Sequence, residues 1–262
     1  MAGDRIVTIN KEKYVGDSIT NAGAMKRLKG PKNTQAILGI KRSGKQQLLT
    51  FNIQRGDVPV KTVGAVYMAA PKIGYVSINS FGDTTYAEFL AALATLQGEG
   101  FQNLIIDLRG NPGGYMETAI QIANDFLPKN SLIVYTKGRK SPRKEYRTDG
   151  RGTYQTMPIV VLVDETSASA SEIFAGAMQD NDRGMIVGRR SFGKGLVQVP
   201  IEFPDGSMLR LTTARYYTPS GRCVQKPYTP GDEEDYAADL LSRAEHGEYF
   251  SADSIKTCLL YT

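Results

Sequence analysis

The sequence has one histidine (His246), no tryptophan and two cysteines (Cys223 and Cys258) in 262 residues. Each shortage closes off a chemistry. A lone histidine in an acidic carboxyl-terminal stretch leaves a Ser/His/Asp triad without its base. It also leaves a cysteine nucleophile without its usual imidazole partner. Two widely spaced cysteines make neither a disulfide framework nor a metal cluster. No apolar run approaches the ~18 residues of a membrane span. No leader is visible at Met1–Asp4, where a structured pattern begins at once, so a chain cut from a longer protein is expected. Neither sign of charge dominates: 32 Lys and Arg against 27 Asp and Glu leave a net +5. The densest basic stretch, Lys137 to Arg147, carries no RNA- or DNA-binding motif and reads as a solvated loop. Nucleic acid is therefore not an expected partner, and neither is stable membrane insertion.

What is present is a strand–helix alternation. The length allows one large domain, or a medium one with a small one. Residues 1–57 form a first unit: Arg5–Ile9 alternates like a strand, Ile19–Leu28 has helical spacing, and Ala36–Arg42 with Leu48–Arg55 reads as a hairpin across Ser43-Gly44. Residues 58–262 form a second. Ile73–Ile78, Asn103–Leu108 and Pro158–Val163 read as buried strands. Thr84–Gln97, Met116–Phe126 and Ala170–Gln179 read as helices, the first with Phe89, Leu90, Leu93 and Leu96 on one face. Ile186–Gly188 is extended. Val197–Ile201 and Met208–Tyr217 are late strands, and a polar tail carries a helix near Asp235–Ala244. The pattern predicts a layered α/β fold.

Two short stretches carry the chemistry. Ser169 follows a buried strand and opens a helix. Ser169-x-x-Glu172 matches a capping box, yet the same helix terminus directs backbone N–H groups and a positive dipole at the serine, which favours an oxyanion. Lys194 sits between Gly193 and Gly195. With no histidine suitably placed, a lysine is the base left for a nucleophilic serine, and a lysine serves as one when burial lowers its pKa from about 10.4 toward 7–8. A surface lysine in a flexible turn is the competing reading. Gln198 either orients that amine or sits on a strand surface. The Gly113-Gly114 turn leads from a buried strand into a helix. It offers one oxyanion-hole N–H, with Ala170 supplying the second; either glycine could be the donor.

Taken together, Gly74–Ile78, Asp107–Gly114, Ser167–Ile173, Gly188–Gly195 and Leu211–Arg222 resemble the carboxyl-terminal processing (tail-specific) protease family, in order and spacing over roughly residues 60 to 228. The resemblance implies a serine–lysine endopeptidase on a crotonase-like layered core of mixed sheet and helices, preceded by a partial PDZ domain that the chain enters midway. It implies Ser169 as nucleophile, Lys194 as general base, Gln198 as the residue orienting the lysine, and Gly114 and Ala170 as the oxyanion hole. Asp180 falls where some members place an important acid; an ion pair with Arg183 is its structural alternative. No metal or organic cofactor is implied. The expected partners are protein or peptide substrates with apolar C-termini, laid as an extra strand on a sheet edge, for which Leu211–Tyr216 is one candidate. A homo-oligomer is left open, and the expected location is extracytoplasmic, in the periplasm. A scaffold or inactive fragment, and an enzyme acting on acyl-coenzyme A, are the rival readings.

Overall fold

A computed structural model describes residues 3–16, 19–57, 60–228 and 233–250. Cys258 and Leu259–Thr262 lie outside the described residues. The elements are β1 (Arg5–Ile9), β2 (Glu12–Lys13), α1 (Asn21–Leu28), β3 (Gln35–Lys41), β4 (Leu49–Gln54), β5 (Val63–Ala70), β6 (Ile73–Ile78), α2 (Thr85–Gly98), β7 (Asn103–Asp107), α3 (Met116–Phe126), β8 (Leu132–Lys137), β9 (Lys144–Arg147), β10 (Ile159–Val163), α4 (Ala170–Asp180), β11 (Met185–Gly188), β12 (Leu196–Glu202), β13 (Met208–Tyr217) and α5 (Glu233–Glu245). They divide into two compact units, Met1–Val60 and Lys61–Thr262.

The first unit is an antiparallel sheet in the order β2-β1-β3-β4 with helix α1. Thr20 caps α1, its hydroxyl oxygen accepting the Gly23 N–H at 3.1 Å. Ile9, Ala36 and Ile40 are its buried apolar side chains, a small core of the size such a short sheet can build.

The second unit is built on a five-stranded sheet ordered β11-β10-β7-β6-β5. Strands β6, β7, β10 and β11 run parallel, and β5 closes one edge antiparallel to β6. Val76, Leu104, Ile106, Val161 and Val163 are buried on one face of the sheet, while the alternate positions Tyr75, Ile105, Val160 and Leu162 on the other face are half-buried, the period of two that a sheet imposes. Phe126 of α3 joins the helices: its ring meets Phe89 of α2 at 6.1 Å and Phe174 of α4 at 6.3 Å, both edge-on, the geometry that aromatic quadrupoles favour. Helix α4 is thereby held at its middle while its N-terminus faces the ends of β7 and β10.

Three expectations need correction. Leu90 is 41% exposed, and the buried face of α2 is Thr85, Phe89, Ala92, Leu93 and Leu96. At 100° per residue Leu90 falls a quarter-turn off the Phe89 stripe. The stretch Lys137 to Arg147 is half hairpin: β8 and β9 pair antiparallel around it, and β9, lacking apolar alternation, is held by backbone pairing. Strand β13 is an edge only in part: β12 pairs with residues 208–215 on one side, while β8 pairs on the other side with Arg215, Tyr216 and Tyr217 alone, which narrows the candidate edge to Leu211–Ala214. The Phe203–Ser207 turn folds β12 back onto β13, which takes up one side of that strand and leaves the other side of Leu211–Ala214 without a strand partner among the described residues. Among the described residues no helix is long and apolar enough to cross a membrane.

Candidate active site

Ser169 stands at the N-cap of α4 with φ 55° and ψ −112°. A side chain at such a positive φ costs about 1–3 kcal/mol and persists only when its surroundings over-determine it. Here they do. Ala168 donates its N–H to the Asn111 carbonyl at 3.0 Å, and the Ser171 hydroxyl donates to the same oxygen at 3.0 Å. One residue upstream, the buried Ser167 hydroxyl donates to the Leu108 carbonyl at 2.8 Å. Asp164 takes the backbone N–H groups of Thr166 and Gly110, the latter at 3.0 Å. Burial opposes charge on Asp164, but these hydrogen bonds, with that of the Thr166 hydroxyl, outweigh it and hold the carboxyl below the usual range. The strand-to-helix turn carrying Ser169 is thus laced to the turn that follows β7.

That second turn is Arg109–Tyr115. Asn111 is fully buried; its Nδ2 donates to the Ile78 carbonyl at 2.7 Å and its Oδ1 accepts the Gly113 N–H at 2.8 Å. Gly113, at φ 98°, presses on the serine: a β-carbon there would lie 2.7 Å from Ser169 Cβ and 2.9 Å from the Ala170 nitrogen. Only glycine fits this contact. The Gly113 amide is committed to Asn111. Among the described residues no acceptor takes the Gly114 N–H or the Ala170 N–H, and Ala170 is one of the helix-start donors left without an intrahelical partner. Of the two glycines that the sequence leaves open, Gly114 is the one with an unused donor beside the serine turn.

The residue that joins serine to lysine is Glu172. It is 1% exposed and accepts four hydrogen bonds. Ser169 N–H donates to Oε2 at 2.9 Å, the Ser191 hydroxyl to Oε1 at 2.6 Å, Gly193 N–H to Oε1 at 2.6 Å and Lys194 N–H to Oε2 at 2.9 Å. Burial pushes its carboxyl upward, while the four donors pull the other way. Three of them are backbone N–H groups that can only donate, so the arrangement calls for the carboxylate. On its far side the lysine loop is pinned by Gly195 N–H to Gln225 Oε1 at 2.9 Å and Lys226 N–H to the Gly193 carbonyl at 3.0 Å. Buried Arg243 donates to the Ser191 carbonyl at 3.2 Å. Sequence reasoning saw Glu172 only as half of a capping box. The Gly193 and Lys194 amides were the missing signal, and their approach depends on the fold.

The side chains of Lys194 and Gln198 are exposed. Among the described residues neither makes a hydrogen bond, and Ser169 Oγ and Lys194 Nζ are not joined. Gln198 pairs with Thr212 across the β12–β13 ladder. Asp180 lies at the other end of α4, about 16 Å along the axis from Ser169. Ser220 donates to its Oδ2 through N–H at 2.9 Å and through the hydroxyl at 2.7 Å, and Arg222 pairs with Oδ1. Burial disfavours its charge, but Thr218, Ser220 and Arg222 hold its carboxyl below the usual range. The ion-pair partner is therefore Arg222, not Arg183, whose guanidinium donates to the carbonyls of Phe126, Tyr154 and Met157 at 2.6 Å each. Asp180 ties the end of α4 to the segment after β13.

Comparison with known proteins identifies the family of the chain. The model of peptidase family S41 matches residues 72–236. The chain is 34% identical over 225 residues to the carboxy-terminal processing protease CtpB of Bacillus subtilis, covering 85% of this chain and 46% of that protein. It is 38% identical over 231 residues to the carboxy-terminal-processing protease of Bartonella bacilliformis, covering 86% of this chain and 52% of that protein. The solved structure of a photosystem II D1 C-terminal processing protease superposes with a TM-score of 0.57 at 30% identity, covering 86% of this chain and 61% of that one. The chain thus spans about half the length of the curated relatives it matches. All the turns that meet at Ser169 fall within the matched segment, and the chain belongs to peptidase family S41.

Proposed function

We propose that this chain carries the catalytic machinery of a serine endopeptidase that cleaves proteins near their C-termini. One observation carries the reading: buried Glu172 binds the backbone of Ser169 and of Lys194 on the same carboxylate oxygen. Nothing in an ordinary helix cap requires a distant glycine-flanked lysine to join it. In this reading Ser169 Oγ attacks the scissile carbonyl as the Lys194 amine takes its proton. The unused N–H groups of Gly114 and Ala170 receive the oxyanion. The acyl-enzyme forms, the amine leaves with the proton from Lys194, and a water activated by the same lysine releases the product. Gln198 orients the lysine, and Asp180 fixes the far end of the helix that presents the serine. The substrates are proteins or peptides with apolar C-termini, and no cofactor takes part. We read the second unit as a crotonase-like core and residues 1–57 as part of a PDZ domain, in a protein that works outside the cytoplasm, in the periplasm. The names of the relatives support C-terminal processing.

A second reading is favoured by one feature. With Lys194 and Gln198 exposed and Ser169 not joined to Lys194, the chain alone is an unclosed site, as in an inactive fragment or a peptide-binding scaffold. Incubation with an unstructured protein bearing an apolar C-terminus separates the two. Cleavage that disappears in Ser169→Ala and in Lys194→Ala supports the peptidase. Cleavage that persists in either variant removes the dyad assignment.

A further inference from the structure

The basic stretch Lys137 to Arg147 does not behave as a solvated loop throughout. Glu145 takes Arg143 and Arg147 in ion pairs at 2.7 and 2.8 Å. Lys137 and Arg139 have no carboxylate partner among the described residues, and neither does Arg215. These three cations line one groove of about 510 Å³, together with Leu196, Thr213, Tyr217 and Tyr228, and among the described residues no carboxylate lines it. The strand register explains why they meet. Arg215 of β13 stands directly opposite Lys137 of β8, and opposite Leu196 of β12 on its other side. Leu196, Arg215 and Lys137 therefore form one row across three strands. Like charges placed directly opposite each other destabilise a sheet, and among the described residues no carboxylate pairs with either cation.

The groove is apolar beside its cations. Tyr217 stacks on Tyr135 with ring centroids 4.9 Å apart and planes 5° apart. Arg143 covers the other face of this pair, 3.7 Å from the Tyr135 centroid. Gly138 is pressed so close to β13 that a β-carbon would lie 2.1 Å from the Thr213 carbonyl oxygen, which brings the Arg139 turn over the sheet. The groove also adjoins the lysine loop. Leu196 follows Gly195, whose carbonyl accepts the Tyr216 N–H at 2.7 Å.

We propose that this groove binds a carboxylate of the peptide substrate, seated on Lys137, Arg139 and Arg215 with an adjoining apolar residue against Leu196 and Tyr217. The identity of the ligand rests on the peptidase reading; the anion preference does not. A carboxylate offsets the opposed cations that the sheet leaves unbalanced, and an apolar neighbour uses the rest of the surface. The carboxylate comes either from acidic side chains or from the chain terminus.

The test is fluorescence anisotropy with the full chain carrying Ser169→Ala, using labelled unstructured peptides with apolar C-terminal residues. Four forms are compared: acidic or amide-substituted near the C-terminus, each with a free or an amidated terminus. Acidic forms are expected to bind about tenfold more tightly, and Lys137→Gln and Arg215→Gln each to weaken this preference about two- to fivefold. Added salt weakens it further. A preference lost on terminal amidation assigns the groove to the terminal carboxylate; one lost on Asp→Asn assigns it to side chains. Lys137→Gln is expected to melt no lower than the parent, because it relieves a like-charge pair. Equal binding of all four peptides, a preference unchanged when Lys137→Gln and Arg215→Gln are combined, or a lower melting point of Lys137→Gln overturns the proposal. If the peptidase reading alone is wrong, the unmodified chain cleaves none of these peptides while the acidic preference persists.

Discussion

Glu172 Oε2 accepts the N–H of Ser169 and the N–H of Lys194, each at 2.9 Å. Two backbones distant in sequence therefore pass within a few ångströms of one another around a single buried oxygen. This fixes the main chains of the proposed nucleophile and base relative to each other. Replacing Glu172 with Gln keeps the size but turns one acceptor into an NH₂ that faces donors. We expect a loss of about 2–3 kcal/mol of stability in urea unfolding and a large fall in kcat with little change in KM. A stable variant with normal kcat would sink the linking role.

The backbone at Ser169 stores strain that should be releasable. Ser169→Gly removes the β-carbon from a positive-φ position, and is expected to gain about 1 kcal/mol. Ser169→Ala keeps the β-carbon and should gain nothing. Both are expected to abolish the proposed peptidase activity. Thermal melts of the two variants side by side measure the difference.

Gly113 should tolerate nothing larger. A β-carbon there would sit 2.5 Å from the Ala168 carbonyl and 2.7 Å from Ser169 Cβ. Gly113→Ala is expected to cost at least about 2 kcal/mol, since neither contact is the flexible end of a side chain. Gly110, also at positive φ, has nothing within 4 Å of such an atom, and Gly110→Ala should cost less. Denaturation midpoints of the pair decide the matter.

A pH dependence follows from Asp125. Its Oδ2 is buried without a hydrogen-bond partner, and burial pushes the carboxyl up to about 6. The unfolded chain releases this proton near pH 3.9, so between about pH 4 and 6 the folded state holds more protons than the unfolded one. The stabilising contribution is complete below the unfolded value and is lost as pH rises through about 6. Asp125→Asn should flatten the stability profile over that window. An unchanged slope in unfolding titrations at pH 4, 5 and 6 would argue against it.

Much of the site was readable because its signals are local. A serine after an apolar strand and before a helical run fixes a helix terminus. A glycine pair after another buried strand fixes a tight turn, and the shortage of histidine directs attention to Lys194. Signals spread over long separations stayed silent. Asn111, Asp164 and Glu172 read as ordinary turn and cap residues until β7 and β10 lie side by side in parallel register. Arg222, not Arg183, reaches Asp180 because the segment after β13 returns to the end of α4. The opposed Lys137 and Arg215 are invisible until β8 pairs with β13.

By itself the sequence determined the alternation of the main strands and helices, though not β2, β5, β8 or β9, the position of the serine at a helix start and the absence of a histidine base. Those follow from hydrophobic period, turn residues and composition, which act over a few neighbouring residues. Only the tertiary structure decided which glycine amide is unused, which carboxylate links serine to lysine and which cations are left unbalanced. A hydrogen bond or a charge pair is set by distances between atoms that chain closure brings together, and those distances are not written in any local run of residues.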